Sequence, residues 1–343
     1  MKIVIALVIF SLIILFHEFG HFLLAKMNKV TVVEFSLGMG PRLLSVQKGE
    51  TRYSLKLLPF GGSCMMLGED EATQEPGSFA SKSVWARISV IAAGPVFNFI
   101  LAFLMSMIIV GSVGYDVPVL VGVKEGSPAA EAGLEAGDII VKMNETSIHV
   151  SREITNYTMF HQGKTVHMVW EHEGERKEAD IVPAVDEDGV ARLGISVNNN
   201  LRVKAGPWET IKYGVYEVRY WILTTIDSLK MLFTGQVTIN DMSGPVGVVD
   251  AIGTTYEQSK SDGVYYVWLN MLNISILLSA NLGVMNLLPI PALDGGRLVF
   301  LIIEAVRRKR IDPEKEGMVH FVGLMALMVL MVVVMFNDVR KLF

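Results

Sequence analysis

One cysteine, Cys64, leaves nothing to pair with inside the chain, so intrachain disulfides and Cys-rich metal sites are excluded and the thiol is read as an inert small residue. Charge is scarce as well. Only 19% of the residues are Asp, Glu, Lys or Arg, against about 25% in ordinary soluble domains. The formal net charge of −5 supplies no basic surface and argues against nucleic acid as a partner. What remains is apolar: 51% of 343 residues are hydrophobic and the mean hydropathy is +0.42. A polytopic membrane protein is the expected class. No internal repeat or low-complexity stretch is apparent.

Four segments are long and apolar enough to span a bilayer, which takes about 20 helical residues. They are Ile3–Ala25, Ile88–Tyr115, Trp268–Leu293 and roughly Gly317–Phe336. The first is expected to be retained rather than cleaved as a signal peptide, since Lys2 is its only leading charge and no small-residue cleavage site follows. Positive charge sets orientation. Lys26, Lys29, Arg42, Lys48, Arg52, Lys56, Lys82 and Arg87 crowd the first loop, and Arg307-Arg308-Lys309-Arg310 the last. Both loops are therefore expected in the cytoplasm, with the long Asp116–Val267 region outside; Arg340 and Lys341 then mildly violate the rule.

The first span runs directly into His17-Glu18-Phe19-Gly20-His21. A helix places residues i and i+4 on one face, so both imidazoles are able to address one divalent cation. Glu18 stands beside them, within reach of a water that it would deprotonate. Ionisable residues inside a span cost roughly 2.5–3.5 kcal/mol each on insertion scales, so three within two turns point to function rather than packing. The bland reading is a pair of buried histidines that merely partner Glu18.

A catalytic zinc takes three protein ligands and keeps one position open. Asp294 is the best candidate for the third ligand, because a lone carboxylate at membrane depth calls for a cation or a partner. Pro289 and Pro291 would break the helix just before it, and irregular backbone in a membrane is tolerated where it lines protein or a wet cavity. Alternatively Asp294 caps the following helix in a re-entrant turn.

Between the first two spans, Val30–Phe35 is rich in β-branched residues and Arg52–Leu57 alternates polar and apolar, so strands are expected, with turns at Gly38, Gly40-Pro41 and Gly61-Gly62. Such a sheet would either receive an extended peptide by strand addition or be a plain hairpin. Residues 116–200 have a soluble composition. Within them, Val123 to Leu134 (VKEGSPAAEAGL) followed by Gly137-Asp138-Ile139-Ile140 resembles the central part of a protease-associated PDZ domain. That resemblance implies an α+β fold that either captures peptide, with Arg192-Leu193-Gly194-Ile195 as the carboxylate-binding loop, or blocks access sterically. From Pro207 to Phe233 apolar residues recur every three or four positions, which predicts an amphipathic helix lying in the outer membrane interface or packed on the preceding domain.

HEFGH in the first span and Asn286 to Gly296 (NLLPIPALDGG) at the end of the third together closely resemble the site-2 protease family of intramembrane zinc metalloproteases, peptidase M50. Gly94-Pro95-Val96-Phe97-Asn98 resembles the family's GPxxN, and Pro59-Phe60-Gly61-Gly62 with Leu67-Gly68-Glu69 its membrane-associated β-loop. A single PDZ-like insert and Ser243-Gly244-Pro245-Val246-Gly247 narrow the likeness to the bacterial RseP/RasP-like branch. The resemblance implies a protease that cuts transmembrane segments of single-pass proteins, such as anti-sigma factors and remnant signal peptides, in the bacterial cytoplasmic membrane. By residue it implies zinc on His17, His21 and Asp294, Glu18 as general base, and Asn281 and Asn286 engaging substrate backbone. The chain departs from the pattern in having room for one PDZ domain only and in Gly62-Ser63-Cys64-Met65-Met66 replacing a GGYVKM-like stretch.

The expected architecture is thus a multi-pass α-helical membrane protein of about four transmembrane helices, with a membrane-associated β-loop and an extracytoplasmic α+β PDZ domain. Its expected divisions are 1–115, with the HExxH helix, β-loop and second span; 116–200, the PDZ domain; 201–266, the amphipathic helix and connection; and 267–343, the last two spans with the LDG motif. Two rival functions stand beside the protease. One is a non-catalytic PDZ-bearing scaffold with a structural metal site, for which His320 is a possible fourth ligand. The other is an ion or proton transporter using the acid and histidine groups as a relay, which four spans without an inverted repeat make weak.

Overall fold

The structure is a computed structural model and describes residues 2–69, 75–185, 191–198, 201–238 and 243–342. In chain order it has α1 (Lys2–Met27), a hairpin of β1 (Val32–Lys48) and β2 (Thr51–Met66), and α2 (Val84–Val113). Next come β3 (Tyr115–Asp116), β4 (Leu120–Val123), α3 (Pro128–Glu131), β5 (Ile139–Met143), β6 (Thr146–Ser147), α4 (Ser151–Phe160), β7 (Val166–His172) and β8 (Glu175–Ile181). After β9 (Ala184–Val185), β10 (Ala191–Arg192), β11 (Ile195–Val197) and β12 (Arg202–Val203) the chain is helical. It continues through α5 (Pro207–Phe233), α6 (Pro245–Ser259), α7 (Val264–Leu287), α8 (Asp294–Arg307) and α9 (Pro313–Leu342). Among the described residues, α1, α2, α7 and α9 are the four helices long and apolar enough to cross a membrane. The chain divides into two compact units, one of residues 1–105 with 237–343, the other of 106–236. The expected boundary at residue 200 lies outside the described residues.

In the first unit the helix that carries HEFGH stops where its sequence says it should. Lys29 takes a left-handed conformation (φ 56°), and Val30 N–H donates back to Ala25 O at 2.8 Å, the bond pattern that satisfies the last carbonyls of a helix. The chain then enters the hairpin, whose strands are longer than the sequence implied. The tight turn falls at Gly49-Glu50. Gly38, Gly40 and Gly61, expected as turns, instead lie within β1 and β2 as positive-φ kinks at 86°, 86° and 83°. Positive φ suits glycine because it has no Cβ, and in a strand it bends the ladder without ending it. The kinks let the hairpin curl on itself. Phe35 lies opposite both Cys64 and Tyr53, and Ser36 opposite both Ser63 and Ser54. Ala25, Val30, Val32, Met66, Phe79, Val90, Ile91 and Leu301 form one buried cluster, so α1, the hairpin base, α2 and α8 share a core.

The third span is shorter than its apolar run. Leu288 is extended (φ −62°, ψ 143°), as a residue before proline prefers, so α7 ends at Leu287 rather than Leu293. A turn through Pro289 and Pro291 then delivers Asp294 to the first turn of α8. That turn is tight. A Cβ on Gly295 would stand 2.2 Å from Leu288 O, and one on Gly296 2.4 Å from Ile290 O, so both positions demand glycine.

The second unit is an α+β body. Its main sheet has the order β6-β5-β7-β8, with separate pairs β4–β11 and β3–β12. Trp170, Ile140, Met143, Met168 and Ile154 fill its core. The sequence-predicted amphipathic helix is α5, and it packs on this body. Arg152 from α4 bridges Glu217 on α5 and Asp116 at 3.5 Å, while Arg219 on α5 pairs with Glu153. Its buried stripe is Gly214, Glu217, Val218 and Thr225; Trp208, Ile211 and Val215 stay exposed.

Candidate active site

His17 and His21 stand one turn apart on α1, both 7% exposed, and α2 lies directly against them. The approach depends on glycine: a Cβ on Gly94 would stand 2.3 Å from His21 Nε2 and 2.7 Å from His17 Cε1. Gly20 is the reciprocal gap on α1, where a Cβ would meet Ala93 O at 2.5 Å. Small residues at a helix crossing in a membrane let backbones approach closely.

His21 Nδ1 lies 2.9 Å from the backbone oxygen of Val90, which has no proton of its own to give. The ring must therefore donate from Nδ1, and its Nε2 keeps a lone pair. That Nε2 faces His17 Nε2 at 3.2 Å, and Asp294 Oδ2 lies 3.2 Å from the latter and 3.5 Å from the former. Asp294 Oδ2 is buried and makes no hydrogen bond of acceptable geometry.

Three donor atoms so arranged fit one ion. Zinc bonds of about 2.0–2.1 Å at tetrahedral angles set ligand atoms roughly 3.3–3.4 Å apart. Buried lone pairs and a carboxylate facing one another are unfavourable without a cation between them. Among the described residues, no other His, Cys, Asp or Glu joins the group. His320, the possible fourth ligand, is engaged elsewhere: its Nδ1 accepts from Ala292 N–H at 2.9 Å. Ala292 sits at φ 78°, costly for a residue with a Cβ, two positions before Asp294.

Glu18 is half-buried and lies toward the hairpin, where a Cβ on Gly62 would come within 3.1 Å of its Cγ. Cys64 is nearby on β2. Burial, and then the charge of Glu18, push its thiol well above the usual range, which suits the inert role read from the sequence. A cavity of about 620 Å³ opens beside Asp294 and is lined by Ser63, Cys64 and Met65 of β2 together with Arg297 and His320. Asn281 and Asn286 lie on α7, both half-buried and five residues apart; neither belongs to the cluster of donor atoms.

Two further polar residues converge here without a role read from sequence. Asn98 is fully buried, with its side-chain amide 3.1 Å from His17 Nδ1, and Ser279 Oγ donates to Asn98 O at 2.7 Å. Asn98 was visible only as the end of the GPxxN stretch. Ser279 carried no signal, since a serine in an apolar helix commonly bonds its own preceding turn.

Over this framework, the family model for Peptidase family M50 matches residues 5–330. The chain belongs to peptidase family M50. It is 38% identical over 338 residues to a protein of Clostridium acetobutylicum, covering 98% of this chain and 97% of that one. It is 32% identical to the zinc metalloprotease RasP of Geobacillus kaustophilus (98% and 97% covered) and 30% identical to the regulator of sigma-W protease RasP of Bacillus subtilis (98% of each). A solved PDZ domain of an SdrC-like protein from Listeria monocytogenes matches at 32% identity and TM-score 0.21, over 24% of this chain and 85% of that one. As an M50 peptidase that covers nearly all of these relatives' length, this protein is a zinc metalloprotease of the site-2 type.

Proposed function

We propose that His17, His21 and Asp294 hold the zinc, that Glu18 is the general base, and that the substrate is the transmembrane segment of a single-pass protein. The observation that carries this reading is the buried, unbonded Asp294 Oδ2 facing two imidazole nitrogens at 3.2 and 3.5 Å. With three protein donors among the described residues, one position remains for water, as in catalytic rather than structural sites.

Zinc bound there would polarise the scissile carbonyl and acidify water. Glu18 takes the proton of the attacking water and returns it to the leaving amide nitrogen, so no covalent acyl-enzyme forms. A substrate helix hides its carbonyls in its own hydrogen bonds and must unwind first. The stretch Ser63–Met65 of β2 lines the cavity at Asp294 and offers backbone partners to an unwound strand. Asn281 and Asn286 are assigned to the same task, and the groove between α4 and β11 of the second unit to peptide capture or steric filtering of substrates.

The charge asymmetry of the loops supports the reading in which residues 116–200 lie outside the cytoplasm and the hairpin associates with the membrane on the cytoplasmic side. His17 then lies about 21 Å along α1 from Ile3 at 1.5 Å per residue, past the midpoint of a bilayer core of roughly 30 Å and toward the cytoplasm. Anti-sigma factors and remnant signal peptides are the proposed physiological substrates.

The deciding experiment is cleavage of a tagged single-pass substrate by the purified wild type and Glu18→Gln, with and without a zinc chelator. Cleavage inside the hydrophobic segment that vanishes in the variant and under chelation is the expected result. Equal cleavage by both proteins would remove Glu18 from the mechanism. Failure of the zinc-loaded wild type on several unrelated substrates would favour the scaffold reading.

A further inference from the structure

We infer that Asn98 is a positioning residue for His17, holding the imidazole in the tautomer that presents a bare Nε2 to the metal. This rests on the zinc site proposed above.

The two histidines reach the site with unequal support. His21 has its Nδ1 proton fixed by a backbone carbonyl, Val90 O at 2.9 Å, and a carbonyl admits only one tautomer. His17 has instead the side-chain amide of Asn98, whose Nδ2 is recorded 3.1 Å from His17 Nδ1 while its Oδ1 is buried without a partner. An amide has two faces, and oxygen and nitrogen are told apart by hydrogen bonding alone. With Nδ2 toward the ring, Nδ1 must accept, so the ring proton sits on Nε2, the atom 3.2 Å from both His21 Nε2 and Asp294 Oδ2. A protonated Nε2 cannot ligate. Turning the amide by half a revolution places Oδ1 on Nδ1–H, relieves the unpartnered oxygen, and leaves Nε2 with a lone pair aimed at the metal position.

Asn98 is fixed well enough to act in this way. It is 0% exposed, and its own carbonyl accepts from Ser279 Oγ at 2.7 Å, which ties this turn of α2 to α7. The side chain therefore has rotation of its amide as its remaining freedom. Partners of this kind fix ligand tautomers in metal sites generally, and losing one costs about 10–100-fold in metal affinity or activity.

The test is zinc affinity of the full-length detergent-purified protein, measured by competition with a chromogenic chelator, for Asn98→Ala, Asn98→Asp and His21→Ala. The thermal midpoint of each metal-free protein is measured alongside. A carboxylate accepts from Nδ1–H and cannot donate, so Asn98→Asp should bind zinc at least as tightly as the wild type. Asn98→Ala should bind about 10–100-fold more weakly with a metal-free midpoint near that of the wild type. Wild-type affinity in Asn98→Ala, with affinity lost in His21→Ala, would overturn the role of Asn98 alone. Wild-type affinity in His21→Ala would overturn the metal site and the role of Asn98 together. Should Asn98→Ala fail to fold, Asn98→Asp decides: a tenfold weaker affinity there overturns the inference, since a merely space-filling role and an accepting role then part company.

Discussion

Asp338, near the end of α9, caps a helix that its own sequence leaves uncapped. Its Oδ1 accepts from Gly244 N–H at 3.0 Å and its Oδ2 from Gly247 N–H at 2.8 Å, so the first turn of α6 is held by a carboxylate from the last span. A side chain at Gly244 would crowd the cap, because its Cβ would stand 2.8 Å from Asp338 Oδ2 and 2.7 Å from Val334 Cγ1. Hydrogen bonds to a charged acceptor contribute roughly 1.5–3 kcal/mol each, and a helix N-terminus adds favourable dipole energy. Asp338→Ala should therefore speed amide exchange across residues 244–250 by tenfold or more in full-length protein in nanodiscs. Exchange unchanged there would mean that packing alone holds α6.

Gly94 offers a second check, since its missing Cβ is the space in which the His21 ring sits. Overpacking of this kind costs about 1–3 kcal/mol, and here the strain falls on a proposed metal ligand. Gly94→Ala should reduce zinc affinity and cleavage together by at least tenfold. Gly111→Ala on the same helix, where the nearest atom is Thr210 Cγ2 at 3.7 Å, should behave as wild type. Equal behaviour of the two variants in the zinc titration would refute the steric argument.

In the second unit the half-buried Arg152 on α4 pairs with the buried Glu217 on α5. Because Arg152 also serves Asp116, removing it leaves two buried carboxylates without their shared cation, a loss of about 3–5 kcal/mol. Replacing Glu217 as well by an apolar residue of similar size removes one of those charges. Arg152→Met should thus open residues 106–236 to limited proteolysis, and adding Glu217→Leu should restore part of the resistance. Should the double variant prove as sensitive as the single, the loss comes from packing rather than charge.

Glu34 on β1 receives Arg42 Nε and Nη2, each at 2.8 Å, and this pairing holds its carboxyl down to about 2 from an ordinary 4.5. A carboxyl whose folded value is depressed adds stability above its unfolded value and loses it as pH falls toward the folded one. The contribution is therefore complete above about pH 4.5 and gone near pH 2. Thermal midpoints of wild type and Glu34→Gln should differ at pH 7, draw together below about pH 4.5 and converge only near pH 2. Parallel curves across that window would count against the pairing.

Much of the site is legible in the chain before it folds. His17 and His21 share a helical face by spacing alone, and their place in an apolar run marks them as functional, because burying such groups is costly without a purpose. Asp294 stands out for the same reason, and the prolines before it announce a broken span. The hairpin was harder. Gly38, Gly40 and Gly61 look like turns in a linear pattern, yet positive φ inside a strand produces a kink just as readily, and only the pairing of Phe35 with both Tyr53 and Cys64 distinguishes them.

Local chemistry in the sequence thus determined the membrane class, four apolar helices, and which side chains were candidates for a metal. Tertiary structure decided what no spacing encodes. It brought Asp294 to within 3.2 Å of His17 across 277 positions of chain, set Gly94 against the two rings, and aimed Asn98 at one nitrogen of His17. The reason is physical: periodicity reports which face of an element is apolar, whereas the meeting of three helices depends on which residues are small enough to let their backbones close.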